Sequence, residues 1–294
     1  MASPSGKAGA CKAPILSSNL SATFSPKGPL LYLIATPIGH LDDISKRALA
    51  TLETCDFIFC EDTRRSAILL DRYGIKKRLI PYHKFNEKKQ LEAILEDLLS
   101  GRDMALISDA GTPCINDPGL ILVQACIEKN IPFTAIPGAC SPIQALVLSG
   151  LDTSQFQYIG FLPKSAKKTL CQALSYPGTT IALESPSRLL ETLQEIQKLD
   201  PKRRLAVARE MTKTYEECIR GSAESLVLHF ESKAPRGEIV LVIEGGNLTQ
   251  EDFSLEELVE MLQELHGLSL KEAIKTAAHL KKIPKRSVYK QFHE

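Results

Sequence analysis

Two acids, two glycines and two prolines fall within thirteen consecutive residues, Ile107-Ser108-Asp109-Ala110-Gly111-Thr112-Pro113-Cys114-Ile115-Asn116-Asp117-Pro118-Gly119. An apolar run (104–107) feeds this segment and a helical pattern (120–129) leaves it, so it reads as a long turn at the carboxyl end of a buried strand. In open α/β sheets that edge is where ligands bind. Gly111 lets the backbone approach a small molecule closely, and Pro113 and Pro118 stiffen the turn. The chemistry expected here is recognition of a small molecule, in preference to a loop that only redirects the chain.

Other strand tips carry related signals. Thr36-Pro37-Ile38-Gly39-His40-Leu41-Asp42-Asp43-Ile44 has the place of a phosphate loop. It lacks Gly-x-Gly-x-x-Gly and the Gly-Lys-Ser/Thr ending, which argues against a triphosphatase and an ordinary dinucleotide site. Cys60-Glu61-Asp62-Thr63-Arg64-Arg65 sets two acids and two arginines at a strand end, either as a site or as a helix cap with a surface ion pair. Tyr82-His83-Lys84-Phe85-Asn86-Glu87 mixes groups suited to a nucleotide. Pro137-Gly138-Ala139-Cys140-Ser141-Pro142 offers small residues at a helix start. Farther on, Glu184-Ser185-Pro186-Ser187-Arg188, the stretch Arg209-Glu210-Met211-Thr212-Lys213 and Pro235-Arg236-Gly237-Glu238 place Arg188, Arg209, Lys213 and Arg236 at strand termini, where they would form a basic surface. The six histidines are scattered without ligand spacing, so no metal site is expected.

These tips require a particular scaffold. Short apolar strands at 31–35, 57–60, 78–81, 104–108 and 132–136 alternate with amphipathic helices at 42–54, 66–73, 87–99, 119–129 and 142–149. Such alternation predicts parallel strands with helices on both faces. Asp42 or Asp43 is expected to cap the first helix and Asn86 the third. A second α/β unit follows, with strands at 156–161, 179–183, 204–208, near 218–220 and at 238–243, and helices at 164–175, 186–199 and 223–231. The predicted organisation is a disordered tail (1–29), an N-terminal α/β domain (30–150), a C-terminal α/β domain (151–246) and a basic helical extension (254–294). In that extension Ser269 should cap a helix over 270–281, and Pro284 should open a short last one.

Composition narrows the classes. The chain has 294 residues and a net charge of +1, so no global field draws it to nucleic acid, and any steering comes from local patches. No apolar run is long enough to span a bilayer, so no membrane partner is expected. Eight cysteines never form Cys-x-x-Cys, which fits reduced thiols in the cytoplasm. Residues 1–29 hold no acid and no arginine, and read as a tail rather than a transit peptide. From Gly267 onward seven Lys or Arg stand against two Glu, a basic hairpin for phosphates or simply a solvated face.

Taken in order, Thr36-Pro37-Ile38-Gly39, Glu61-Asp62-Thr63-Arg64, Ser108-Asp109-Ala110-Gly111-Thr112-Pro113, Asp117-Pro118-Gly119, Pro137-Gly138, Gly160-Phe161-Leu162-Pro163, Glu184-Ser185-Pro186, Arg209-Glu210-Met211-Thr212-Lys213 and Arg236-Gly237-Glu238 resemble the motifs of the ribosomal RNA small subunit methyltransferase I family. That family has the tetrapyrrole methylase fold. The resemblance implies two α/β domains, one mainly parallel sheet and one mixed sheet, with S-adenosylmethionine held in the cleft between them. It further implies a metal-free homodimer that methylates the ribose 2′-hydroxyl of a cytidine in small-subunit (16S) ribosomal RNA, with that RNA or the small ribosomal subunit as partner. Carried over by motif, Pro37, Ile38, Gly39, Asp109, Ala110, Gly111, Ala139, Ser141 and Glu238 become the cofactor-binding candidates. His40, Leu183 and Ser187 depart from the residues usual in the family, an Asn, an aromatic and a His.

Methyl transfer to a ribose hydroxyl needs a group that takes the hydroxyl proton. Glu61, Asp62, Asp109, Glu210 and Lys213 stand as unranked candidates, Lys213 only with a lowered pKa. Arg64, Arg65, Arg209 and Arg236 suit phosphate clamps, and His83 and Arg188 complete the expected RNA-facing set. Because one fold hosts many chemistries, a tetrapyrrole methyltransferase and a non-catalytic ribosome-assembly factor are the rival readings.

Overall fold

The computed structural model describes residues 30–246, 254–281 and 283–284. The expected tail at 1–29 and the expected last helix beyond Pro284 lie outside the described residues.

The first sheet is entirely parallel. It comprises β1 (Leu31–Ile34), β2 (Phe57–Cys60), β3 (Arg78–Pro81), β4 (Met104–Ile107) and β5 (Phe133–Ile136), in the order β3-β2-β4-β1-β5. Helices α1 (Lys46–Thr54), α2 (Thr63–Arg72), α3 (Glu87–Leu99) and α4 (Leu120–Glu128) make the crossovers. β4 shows why the sheet is buried on both faces. Its side chains alternate: Ala105 and Ile107 meet Leu52 of α1 and Leu69 of α2, while Met104 and Leu106 meet Leu98 of α3 and Leu122 of α4. Full burial of each large apolar side chain contributes about 1.5–3 kcal/mol.

Two helix caps differ from expectation. The first helix begins at Lys46 and is capped by Ser45, whose hydroxyl accepts from the Ala48 N–H, while Leu41–Asp43 form a separate 3-10 turn. Asp42 instead accepts from the Tyr73 hydroxyl at 3.1 Å. Asn86 stands at the start of α3 but its side chain closes the preceding turn, accepting from the His83 N–H and donating to the Pro81 carbonyl.

The second sheet is mixed. It contains β6 (Phe156–Phe161), β7 (Thr179–Glu184), β8 (Arg204–Arg209), β9 (Glu217–Ser222) and β10 (Ile239–Ile243), in the order β6-β7-β10-β8-β9. Only β6 and β7 are parallel. Helices α6 (Lys167–Ser175), α7 (Pro186–Leu199) and α8 (Ala223–Ser232) cover one face. The other face receives α5 (Ser141–Ser149), whose Ala145 and Leu146 pack against Ile181, Ala206 and Val240. A helix that the chain order groups with the first sheet is thus buried on the second, and it joins the two.

The extension folds as α9 (Leu255–His266) and α10 (Leu270–Leu280), packed on each other and on Cys171 of α6. Ser269 caps α10 in a reciprocal capping box with Glu272. Among the described residues no helix is long and apolar enough to cross a membrane.

Candidate active site

The strand order creates the site. From β1 the chain crosses to β2 on one side, and from β4 it crosses over β1 to β5 on the other, so the loops after β1 and β4 diverge. Such a switch point leaves a crevice at the carboxyl edge. Here the two tips are pinned together, since Thr36 and Gly111 exchange backbone hydrogen bonds at 2.9 and 3.0 Å. The buried Thr36 hydroxyl also donates to the Ser108 carbonyl, and the Thr112 hydroxyl to the Ala139 carbonyl, which draws in the loop after β5. A cleft of about 420 Å³ opens here, with the second sheet as its opposite wall. That volume lies within the range of small-molecule sites, roughly 300–1,000 Å³.

The opposite wall docks through close backbone contacts. A Cβ on Gly39 would stand 2.6 Å from the Thr212 hydroxyl and 2.9 Å from the Met211 carbonyl, so only glycine lets the β1 tip seat against 211–213. The neighbouring His40 N–H donates to the Thr212 hydroxyl at 3.0 Å. Across the cleft, the Tyr158 hydroxyl donates to Asn116 Oδ1 at 2.6 Å, tying the 107–119 loop to β6. Gly237 has φ +82 and lies against the Glu210 side chain, whose Oε1 accepts from the Glu238 N–H.

The expected cofactor residues divide. Ile38, Asp109, Ala110, Gly111, Ser141 and Glu238 line the cleft, whereas Pro37, Gly39 and Ala139 do not. Ala139 belongs to the buried core between the sheets.

None of Glu61, Asp62, Glu210 and Lys213 lines the cleft. Asp62 caps α2 and binds the Arg64 guanidinium, which, with the Arg64 N–H, holds its carboxyl down at about 2. Burial works to raise Glu210, but the Glu238 N–H and Lys213 hold it below its usual value. Burial likewise works to lower Lys213, yet hydrogen bonds to Glu210 and Glu238 keep it above the ordinary lysine value. That is the reverse of the lowered pKa a lysine base requires.

The basic residues also divide. Arg65 lines the cleft and Arg64 is exposed on α2. His83 sits beside Phe85 with its Nδ1 unpartnered and buried. Arg188 turns inward: its Nη2 lies 2.9 and 2.8 Å from the Leu162 and Pro163 carbonyls and 3.1 Å from buried Glu184. Arg209 pairs with Glu217 at 2.6 Å. Arg236 is exposed and borders, with Arg209 and Lys233, a separate hollow of about 380 Å³.

Asp117, Asn116, Tyr158 and Met211 also line the cleft and were absent from the expected site. Asp117 and Asn116 lie within the loop that the sequence singled out, but Tyr158 carries no local signal. Asp117 is half-buried, and burial together with the Glu61 charge pushes it up to about 6, against weaker pulls from Ser108 and Lys84.

The lining defines its ligand. Ile38, Met211 and Val240 supply apolar surface, while Asp109, Asp117 and Glu238 face a single basic lining residue, Arg65; the fourth lining acid, Glu184, is answered by Arg188. This set favours a small molecule with an apolar body and a positive charge, and it disfavours a phosphate inside the cleft.

Comparison with known proteins identifies the family and the fold. Residues 30–227 match the family described as tetrapyrrole (corrin/porphyrin) methylases. The chain is 40% identical over 274 residues to "Ribosomal RNA small subunit methyltransferase I" of Halalkalibacterium halodurans, covering 90% of this chain and 94% of that protein. It is 43% identical over 269 residues to the protein of the same name from Synechocystis, covering 88% and 96%. Among solved structures, uroporphyrin-III-C-methyltransferase from Thermus thermophilus aligns with a TM-score of 0.52 at 22% identity, over 73% of this chain and 94% of that one. A cobalt precorrin-4 methyltransferase gives a TM-score of 0.55 at 15% identity, over the same shares of 73% and 94%. These two establish a shared fold.

Proposed function

The chain belongs to the ribosomal RNA small subunit methyltransferase I family of tetrapyrrole methylases, and from that premise we propose that it transfers a methyl group from S-adenosylmethionine to the ribose 2′-hydroxyl of a cytidine in small-subunit ribosomal RNA. The observation that carries the reading is the acid-lined cleft at the switch point, whose lining suits a sulfonium cation with a flat apolar body. When bound, that donor supplies an electrophilic methyl carbon. Ile38, Ala110, Gly111, Ser141 and Met211 would hold its apolar part, and Asp109 and Glu238 would face its charged and polar groups.

The RNA belongs on the rim. Phosphates are repelled by the cleft's carboxylates but find Arg64 and Lys84 at the neighbouring strand tips and Arg236 on the opposite wall. Phe85 is 97% exposed beside His83 and suits stacking of an unpaired base. Positioning the hydroxyl against the donor is the main task of such a site, and can supply about 7–11 kcal/mol of the barrier. A homodimer is part of the same reading; exposed Leu120, Ile127, Ile143 and Val147 on α4 and α5 support it.

Incubation of the protein with methyl-labelled S-adenosylmethionine and small ribosomal subunits tests the proposal. Label is expected in a single cytidine of the RNA, alkali-stable as a 2′-O-methyl ribose. Label on a tetrapyrrole instead, or no transfer to either acceptor, overturns it.

A further inference from the structure

Four carboxylates line the cleft, and three of them have a cationic partner. Asp109 lies 3.5 Å from Arg65, Glu184 lies 3.1 Å from Arg188, and Glu238 lies 3.2 Å from Lys213. Asp109 is further committed as acceptor of the Asp62 N–H at 3.0 Å, which joins the loops after β2 and β4. Asp117 is the exception: among the described residues no basic side chain lies within ion-pair distance of it. It is also presented deliberately. Cys114 and Asn116 on its N-terminal side adopt left-handed φ of 69 and 67, and the Tyr158 hydroxyl clamps Asn116 from the second sheet. Such conformations persist only where the surroundings impose them.

We propose that Asp117 is the catalytic residue that takes the proton of the ribose hydroxyl. The inference rests on the methyl-transfer reading above and deepens it. In that step the ribose oxygen forms its bond to the methyl carbon as the methyl–sulfur bond breaks. The electron pair of that bond stays on sulfur, and the hydroxyl proton passes to the Asp117 carboxylate, which later releases it to solvent. An acceptor must be ionised at working pH yet basic enough to take a proton, and a carboxylate with no cation at ion-pair distance in a half-buried wall meets both needs. The other candidates fail one of them. Asp62 is spent as a helix cap under Arg64, Glu210 and Lys213 neutralise each other, and Glu61 does not line the cleft. The groups that act on Asp117 are Glu61 after β2, Ser108 and Asp109 in its own loop, and Lys84 after β3, while Cys114 in its loop and Tyr158 on β6 feel its charge in turn. Burial, Glu61 and Asp109 raise it, the Ser108 hydrogen bond and Lys84 oppose them, and the net result, about 6, sets the pH at which it becomes a base.

Single-turnover transfer by the full chain to small subunits, followed against pH, tests this. The wild-type rate should rise with pH through about 6, because the acceptor works only when ionised. Asp117→Asn should lower the rate by about 10²–10⁴-fold and abolish that rise, with a far smaller loss of S-adenosylmethionine affinity by calorimetry. Asp117→Glu should recover part of the rate together with the pH limb, and Glu61→Gln should move the limb to lower pH. Independently of activity, the Asp117 carboxyl carbon in isotope-labelled, donor-free protein should titrate near 6 by NMR. An Asn variant that keeps the wild-type rate and limb overturns the assignment and leaves the methyl-transfer reading standing. Loss of donor affinity equal to the loss of rate also overturns it, in favour of a binding role. A wild-type protein that methylates no ribosomal subunit overturns both.

Discussion

The strand tips of the two sheets carry similar charged residues and use them differently. On the second sheet most are paired off, with Arg236 left exposed. Arg188 answers buried Glu184, Arg209 answers Glu217, and Lys213 bridges Glu210 and Glu238. On the first sheet the pairs stay in water: Arg64 and Arg65 bind Asp62 and Asp109 yet keep 88% and 68% of their side-chain surface exposed, and Asp117 faces the cleft with no cation at ion-pair distance. The cause is topological. A parallel sheet ends all its strands on one edge, so its loops crowd around a switch point with room for a ligand. In the mixed sheet β10 runs antiparallel to β7 and β8, and the segment leading into it brings Glu238 alongside Lys213. Charges at the first tips therefore remain available for chemistry, and charges at the second hold the wall in place.

Arg188→Ala probes that contrast most severely. It would leave Glu184, 3% exposed, with only Thr192 and the N–H and hydroxyl of Ser185 as partners. Removing one member of a buried pair costs about 3–5 kcal/mol, and the low end applies because Arg188 keeps partial access to water. Denaturant unfolding should show a loss of about 3 kcal/mol, with donor affinity of the folded fraction little changed. Unaltered stability combined with weakened subunit binding would instead return Arg188 to the RNA surface.

That contrast also explains what the sequence could disclose. The parallel strands of the first unit follow from short apolar runs alternating with helices, and the 107–119 loop announces itself through Gly, Pro and Asp. Local pattern fails where a residue's role depends on a distant partner. Gly39 reads as a bare edge for a ligand, yet it is glycine because Thr212 and Met211, more than 170 residues later, press against it. Arg188 reads as a basic tip, but the Leu162 and Pro163 carbonyls lie beneath it. Asp117 was visible in its motif, but its lack of a cation is a property of three loops together. The first helix cap fails for a nearer reason: Asp42 and Asp43 belong to a 3-10 turn, and Ser45 satisfies the true helix start.

Tyr158→Phe tests the junction between the two regions with a smaller effect. It deletes the one hydroxyl that joins β6 to the 107–119 loop and leaves the ring in place. The expected loss is about 1 kcal/mol of stability, the net value of one such hydrogen bond. Amide exchange in 112–119 should accelerate while that of β4 and β10 stays slow, since the loop loses its tie and the sheets keep theirs. Uniform acceleration across both sheets would mean that the bond holds the two units together rather than holding the loop.

Arg64→Ala should have the smallest effect on the folded protein and a specific effect on RNA. The guanidinium touches only Asp62, and the Asp62 cap on α2 survives its removal because the Arg64 N–H remains as donor. Thermal unfolding should therefore stay within measurement error of wild type. The Asp62 carboxyl, held down first by that guanidinium, should titrate closer to the ordinary aspartate value. Subunit binding should weaken, and the slope of log K against log salt should fall by about one, the signature of one lost phosphate contact. Donor affinity should not move, because Arg64 does not line the cleft. If the salt slope stayed constant while donor affinity fell, the open charges of the first sheet would be serving the small molecule and not the RNA, and the division between acidic cleft and basic rim would have to be redrawn.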